Sequence, residues 1–137
     1  MARRTTQQIE LDMFSALATF MKGKANGTLY LEGCRPHDSQ KEDAVVGVST
    51  ATADQVQEGR ARLRIYVQDI DVGTGNNVPN KGRLAELAKL SEEAIQALNS
   101  ADSDYWFELR NAPHTIEVPG ANQHFVNIEF EFKLKTF

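Results

Sequence analysis

Residues 125–137 read F-V-N-I-E-F-E-F-K-L-K-T-F and decide the fold of this 137-residue chain. From Val126 to Lys135, apolar residues alternate strictly with charged or amide residues. Because side chains alternate between the two faces of a β-strand, the pattern predicts a strand with one buried and one exposed face. We expect Phe130 and Phe132 to point into the core. Glu129 and Glu131 should point outward, and the strand should run to the last residue.

A second stretch, residues 60–67, alternates in the same way. Its inward positions are Ala61, Leu63, Ile65 and Val67, and its outward positions are Arg60, Arg62, Arg64 and Tyr66. The outward arginines form a basic stripe, for which two interpretations are open. They face phosphate groups of a nucleic acid, or they are balanced by the glutamates of a neighbouring strand.

Two helices are predicted from their start signals and apolar faces. Thr5 followed by Gln8 has the spacing of a capping box, which predicts a helix over about 6–22 with Gly23 as its stop. Asn80 is a suitable cap for a second helix that ends near residues 99–100. The apolar face of this helix comprises Leu84, Leu87, Ala88, Ser91, Ala94, Ile95 and Leu98.

The remaining segments complete an α+β pattern. Further strands are predicted at residues 28–31, 44–50, 105–109 and 114–118, and residues 53–59 are interpreted as a turn or a bulged extension. The element order is therefore α-β-β-β-α-β-β-β. It favours a single domain over residues 1–137, with two helices packed on one face of a mainly antiparallel β-sheet.

Charge and cysteine content narrow the classes of function. The formal net charge of −4 argues against a protein whose main task is to grip nucleic-acid phosphates, so we expect contact with DNA at most in passing. Cys34 is the only cysteine, which is compatible with a reducing cytoplasm. No stretch approaches the roughly 18 apolar residues of a membrane span, so we expect no membrane partner.

Residues 69–79 form a Gly- and Asn-rich loop that begins with two aspartates. Asp69 and Asp71 have the spacing of calcium ligands, but Asn80 stands where such a loop needs a glutamate. A turn-forming role is therefore favoured, and no metal or cofactor is expected. An alternative places Asp69 and Asp71 with Cys34 and His37 around the cleft of a small ligand-binding or enzymatic domain.

Four motifs carry a resemblance to a known family. They are R-P-x-x-S followed by E-D-A-V-V, then G-x-x-x-L-R-I-Y-V-Q-D-I-D, P-N-K-G-R-L-x-E-L and Q-H-F-V-N-I-E-F-E-F. Together they resemble small phage-derived tail and neck proteins of Bacteroides-type genomes. Their layout over about residues 9–137 is similar to that of the tail-terminator, or tail-completion, proteins of long-tailed bacteriophages.

The resemblance implies a mechanism without catalysis. Proteins of this family assemble as a ring, commonly a hexamer, on the end of the tail tube, where the ring stops tube growth and forms the joint to the head. Implied partners are other copies of the chain, tail-tube proteins and head-tail connector proteins. Implied locations are the bacterial host cytoplasm during assembly and then the virion tail. We assign docking to the loop residues Asp69, Asp71, Gly73, Gly75, Asn76 and Asn77.

Overall fold

The computed structural model describes residues 3–73, 75–100 and 104–136, and it shows the α+β fold. Helix α1 spans Thr6–Met21, and two consecutive helices, α2 and α3, span Lys81–Ala88 and Leu90–Ser100. The strands are β1 Leu29–Leu31, β2 Ala44–Ala51, β3 Val56–Gln68, β4 Ile70–Asp71, β5 Asn77–Val78, β6 Tyr105–Leu109, β7 His114–Val118 and β8 Gln123–Lys135.

Both predicted helix caps are present. The Thr5 side chain accepts a hydrogen bond from the Gln8 amide at 3.2 Å, and the Gln8 side chain accepts one from the Thr5 amide at 2.8 Å. The Asn80 side chain accepts from the Arg83 amide at 3.3 Å. These bonds satisfy N–H groups that the first helical turn leaves without partners.

The second helical segment is divided at Lys89. Its predicted apolar face is confirmed at Leu84, Leu87, Ser91, Ala94 and Leu98, all of which are buried. The division allows α2 to lie over β3 and β8, whereas α3 packs against β6 and α1.

One sheet of six strands forms the body of the domain, in the order β1-β2-β3-β8-β6, with β7 also paired to β8. All its pairs are antiparallel except β1 with β2. Strand β8 pairs with β3 over its whole length. On its other side it pairs first with β7 and then with β6. Because β6 and β7 lie along the same side of β8, they form one edge that is interrupted at residues 110–113.

The predicted faces of the two long strands are confirmed. Phe130 and Phe132 are 0% and 2% exposed, and they pack in one cluster with α1, α2 and α3. Glu129 and Glu131 lie on the opposite face, here called the outer face. Strand β8 ends at Lys135, Thr136 is buried, and Phe137 lies outside the described residues.

Three boundaries differ from the sequence-based expectation. Strand β8 ends at Lys135, whereas the pattern predicted that it would run to the last residue. Residues 56–59, interpreted as a turn or extension, belong to β3, and the turn occupies residues 52–55. Gly59 permits this, because a side chain there would collide with the Thr50 carbonyl oxygen and the Phe132 ring. Residues 69–79, interpreted as a loop, contain the paired strands β4 and β5. We call residues 69–79 the hairpin.

Candidate interaction surfaces

The base of the hairpin is anchored to β8. The Asp69 amide donates to the Asn122 carbonyl at 2.9 Å, and Asp69 Oδ1 lies 2.6 Å from His124 Nδ1. The two side chains are only 8% and 15% exposed. Asp69 therefore holds the hairpin in place, and its side chain, to which the sequence analysis assigned docking, is buried.

The tip of the hairpin is exposed and contains two apolar side chains. Asp71 Oδ1 accepts a hydrogen bond from the Gly73 amide at 2.9 Å, which closes a turn, and Gly73 has a φ of 91°. The Ile70 and Val72 side chains are 42% and 58% exposed. The other predicted docking residues, Asp71, Gly73, Gly75, Asn76 and Asn77, are exposed as well. The hairpin thus presents two exposed aliphatic side chains, while its base is anchored to β8.

The arginine stripe lies on the outer face, as predicted. The register places Arg60 opposite Glu131 and Arg62 opposite Glu129. The closest ion pairs are different, however. Glu32, just after β1, pairs with Arg62 at 3.3 Å and with Arg64 at 3.7 Å. A single acidic residue, Glu32, therefore balances part of the stripe, and it comes from the β1 side.

The expected strand partner, Glu129, is held by other residues. Its carboxylate accepts from Arg110 at 3.0 Å, Asn111 at 2.9 Å and Asn127 at 3.0 Å. Burial works to raise the pKa of Glu129, but the hydrogen bonds from Asn111 and Arg110 outweigh it and keep the pKa below its ordinary value. Arg110 and Asn111 come from the interruption between β6 and β7, which the sequence pattern did not connect to this face.

Arg60 lines a groove on the outer face. Within residues 3–73, 75–100 and 104–136, Arg60 forms no ion pair shorter than 4 Å. The groove has a volume of about 440 Å³, and its charged walls also include Glu108, Glu131 and Lys133. Trp106, 56% exposed, covers one side. Mixed charges surround Arg60, so the stripe does not form a uniformly basic surface for phosphates.

The alternative cleft is only partly assembled. Arg35 donates to Asp43 at 3.0 Å and to Gln123 at 3.3 Å, which brings residues 32–43 to the beginning of β8. Cys34 and His37 are exposed on this loop. In the part of the chain that the structure describes, neither side chain is hydrogen-bonded to Asp69 or Asp71, and no three His, Cys, Asp or Glu side chains are grouped as metal ligands.

Local hydrogen bonds cover part of the sheet edges at β6 and at β1. The Asn99 side chain of α3 accepts from the Phe107 amide at 2.7 Å and donates to the Phe107 carbonyl at 2.8 Å, which covers the middle of the β6 edge. At the short strand β1, the Leu31 carbonyl accepts from the Cys34 amide at 3.0 Å. Such capping hinders the pairing of further strands at these positions. Strand β7, by contrast, is exposed from His114 to Glu117.

No protein-family model and no curated protein matches the chain. Among the described residues, no helix has the length and apolar character needed to cross a membrane.

Proposed function

We propose that this chain is a non-catalytic assembly protein of a phage or prophage virion. It forms a homo-oligomeric ring, caps the tail tube and joins the tube to the head. Its partners are other copies of itself, tail-tube proteins and head-tail connector proteins, and DNA passes the ring without being gripped. The protein acts in the bacterial host cytoplasm during assembly and then remains in the virion tail.

Two observations support this proposal. The resemblance implies an N-terminal helix, a sheet with a long hairpin, a second helix and a closing strand, and the element order agrees with this except that the second helix is divided at Lys89. The hairpin carries the argument further. Its base is fixed by Asp69 and His124, while Ile70 and Val72 stand exposed beyond the sheet. Apolar side chains presented on a rigid support are typical of protein docking surfaces.

Hairpin variants test the docking role. In Ile70→Ser/Val72→Ser the exposed aliphatic groups are lost without disturbing Asp69 or His124. The matched control is Leu11→Ser, because Leu11 is 51% exposed on α1. Both variants should keep the circular dichroism spectrum of the parent chain. Only the control should still stop the growth of purified tail tubes, as judged by tube length in electron micrographs.

Two results would count against the proposal. Tubes of normal length with the hairpin variant would remove the hairpin from the docking surface. Normal, infectious virions from a phage or prophage that lacks the gene would refute the capping function itself.

A second candidate function is the small ligand-binding or enzymatic domain with a cleft near Cys34, His37, Asp69 and Asp71. The observation in its favour is the Asp69–His124 hydrogen bond, since a carboxylate that orients an imidazole is suited to proton transfer. A small-molecule screen by thermal shift tests it. Stabilisation by a ligand that is lost in both His37→Ala and Cys34→Ser would favour this function over tube capping.

A further inference from the structure

The hydrogen bonds of β8 show which of its residues face β6 and β7. They therefore also show which backbone N–H and C=O groups of β7 point away from the sheet. The Glu129 carbonyl accepts from the Arg110 amide at 2.9 Å, and the Lys135 amide donates to the Asp104 carbonyl at 3.1 Å. Backbone groups of alternate residues point to opposite sides of a strand. Residues of β8 with odd numbers therefore face β6 and β7, and residues with even numbers face β3.

This alternation leaves two residues of β7 with outward-facing backbone groups. Thr115 lies opposite Val126 and Glu117 lies opposite His124, both of which have even numbers. The amide and carbonyl groups of Thr115 and Glu117 therefore point away from β8. They have no hydrogen-bond partner within the described residues, and both residues are exposed. Such an edge is a template for a further strand.

We propose that β7 pairs with β7 of a second copy of this chain. The two strands run antiparallel about a two-fold axis that passes between the two copies of Ile116. In this register Thr115 lies opposite Glu117 of the other copy, and each such pair exchanges both of its backbone hydrogen bonds. The same edge serves both subunits, as a two-fold interface requires.

The side chains fit this register. Ile116 is 37% exposed, and it would be covered by its own counterpart across the axis. The Glu117 carboxylate would lie beside the Thr115 hydroxyl, which can donate to it. A register centred on Glu117 would instead bring two carboxylates opposite each other, which destabilises a strand pair. Pro113 and Pro119 flank β7 and have no N–H, so the ladder stops at both ends.

The pairing goes beyond the proposed capping function and does not depend on it. A two-fold contact joins subunits in pairs, whereas a ring needs contacts that repeat head to tail. Because one partner saturates a two-fold contact, β7 pairing would join two subunits or two rings, and the contacts within a ring would have to form at the hairpin or at other surfaces. The interface is one strand wide, so we expect self-association to be weak and to depend on concentration.

Disulfide trapping tests the register. In a Cys34→Ser background, Ile116→Cys would place two cysteines directly across the axis, where opposite Cβ atoms lie about 4.5–5.5 Å apart. The control is Leu11→Cys in the same background, because Leu11 is more exposed than Ile116. On mild oxidation at one protein concentration, the Ile116→Cys chain should form the covalent dimer at least about tenfold faster. Equal rates would overturn the proposal.

A backbone substitution tests the hydrogen bonds. Thr115→Pro removes an N–H that has no partner in the single subunit, so the fold should be retained. The sedimentation coefficient of the parent chain should rise with concentration, and that of Thr115→Pro should not. A parent chain that stays monomeric up to millimolar concentration, or a Thr115→Pro chain that associates equally well, would show that β7 does not pair with itself. Should the variant fail to fold, the disulfide rates decide.

Discussion

His124 and Asp69 are joined by a 2.6 Å hydrogen bond that connects the central strand β8 to the base of the hairpin. The Asp69 carboxylate is almost fully buried, and the imidazole of His124 is the group beside it that compensates for the loss of water. The bond fixes the base of the hairpin to the sheet, whereas Ile70 and Val72 nearer its tip are exposed.

Replacing His124 by alanine should therefore destabilise the hairpin and the domain. The substitution leaves the Asp69 carboxylate buried without its imidazole partner, which should lower the free energy of unfolding by about 1–3 kcal/mol. His114→Ala is the control, because His114 is exposed on β7, and it should change stability by no more than about 0.5 kcal/mol. Urea denaturation measures both. Equal losses would mean that the His124–Asp69 bond contributes nothing.

Gly59→Ala should be strongly destabilising although it adds a single methyl group. The methyl would collide with the Thr50 carbonyl oxygen and the Phe132 ring, so strands β2 and β3 would have to separate locally. We expect a loss of about 1–3 kcal/mol. Gly82→Ala is the opposite case: Gly82 lies in α2 with no neighbouring atom closer than 4.0 Å, and alanine should stabilise the helix by about 0.5–1 kcal/mol. Thermal unfolding that ranks the two variants in the reverse order would contradict this packing.

Asn99→Ala should open the edge of β6. Both backbone groups of Phe107 would lose their partners, and we expect a loss of about 1–3 kcal/mol in unfolding free energy. The open edge should also increase aggregation, measured by light scattering during heating. Gln96→Ala, one turn earlier on the exposed face of α3, should change neither quantity. Unchanged scattering and stability in Asn99→Ala would mean that the β6 edge does not need this cover.

The pair of Glu42 and Arg83 should make stability depend on pH. Arg83 donates to Glu42 at 2.7 Å and 2.8 Å, and these hydrogen bonds lower the pKa of Glu42 against the opposing effect of burial. A lowered folded-state pKa stabilises the fold above the ordinary value of 4.5, and this contribution disappears as the pH falls through the lowered value.

Glu42→Gln isolates that contribution. Relative to the parent chain, the variant should lose about 1.5–3 kcal/mol at neutral pH and progressively less below pH 4.5. Glu86→Gln is the control, because the Glu86 carboxylate that Arg83 also contacts is 67% exposed and should contribute little at any pH. A Glu42→Gln deficit that stays constant from pH 7 to pH 3 would indicate that the lost stability is not electrostatic.

Features that depend on neighbouring residues could be predicted from the sequence. The Thr5 and Asn80 caps involve residues within one helical turn, and the faces of β3 and β8 follow from alternation within each strand. The fold class follows from these elements. The division at Lys89 could not be foreseen, because the apolar face of α2 and α3 is continuous in sequence.

Contacts between distant segments could not be predicted, because they depend on the register of strands. His124 reaches Asp69 only because β8 pairs with β3 so that His124 lies opposite Val67. Likewise, Glu129 lies opposite Arg62, as the charge pattern suggested, but the interruption between β6 and β7 brings Arg110 closer to its carboxylate. Of the predicted docking residues, Asp69 alone has a buried side chain, because the register of β3 with β8 places it against His124.

The pairing of β3 with β8 has a consequence for the kinetics of folding. In this pair Val56 lies opposite Lys135 and Gln68 lies opposite Gln123, so the paired residues are far apart in sequence. Strands β2 and β3, in contrast, are connected by a short turn. Strands β2 and β3 can pair early in folding. The other side of β3 stays unpaired until β8, which lies far along the chain, has been placed beside it. Contacts of this kind slow folding to the millisecond-to-second range and leave an apolar edge open meanwhile. Refolding yield should therefore fall as protein concentration rises, even though the finished sheet keeps β3 enclosed.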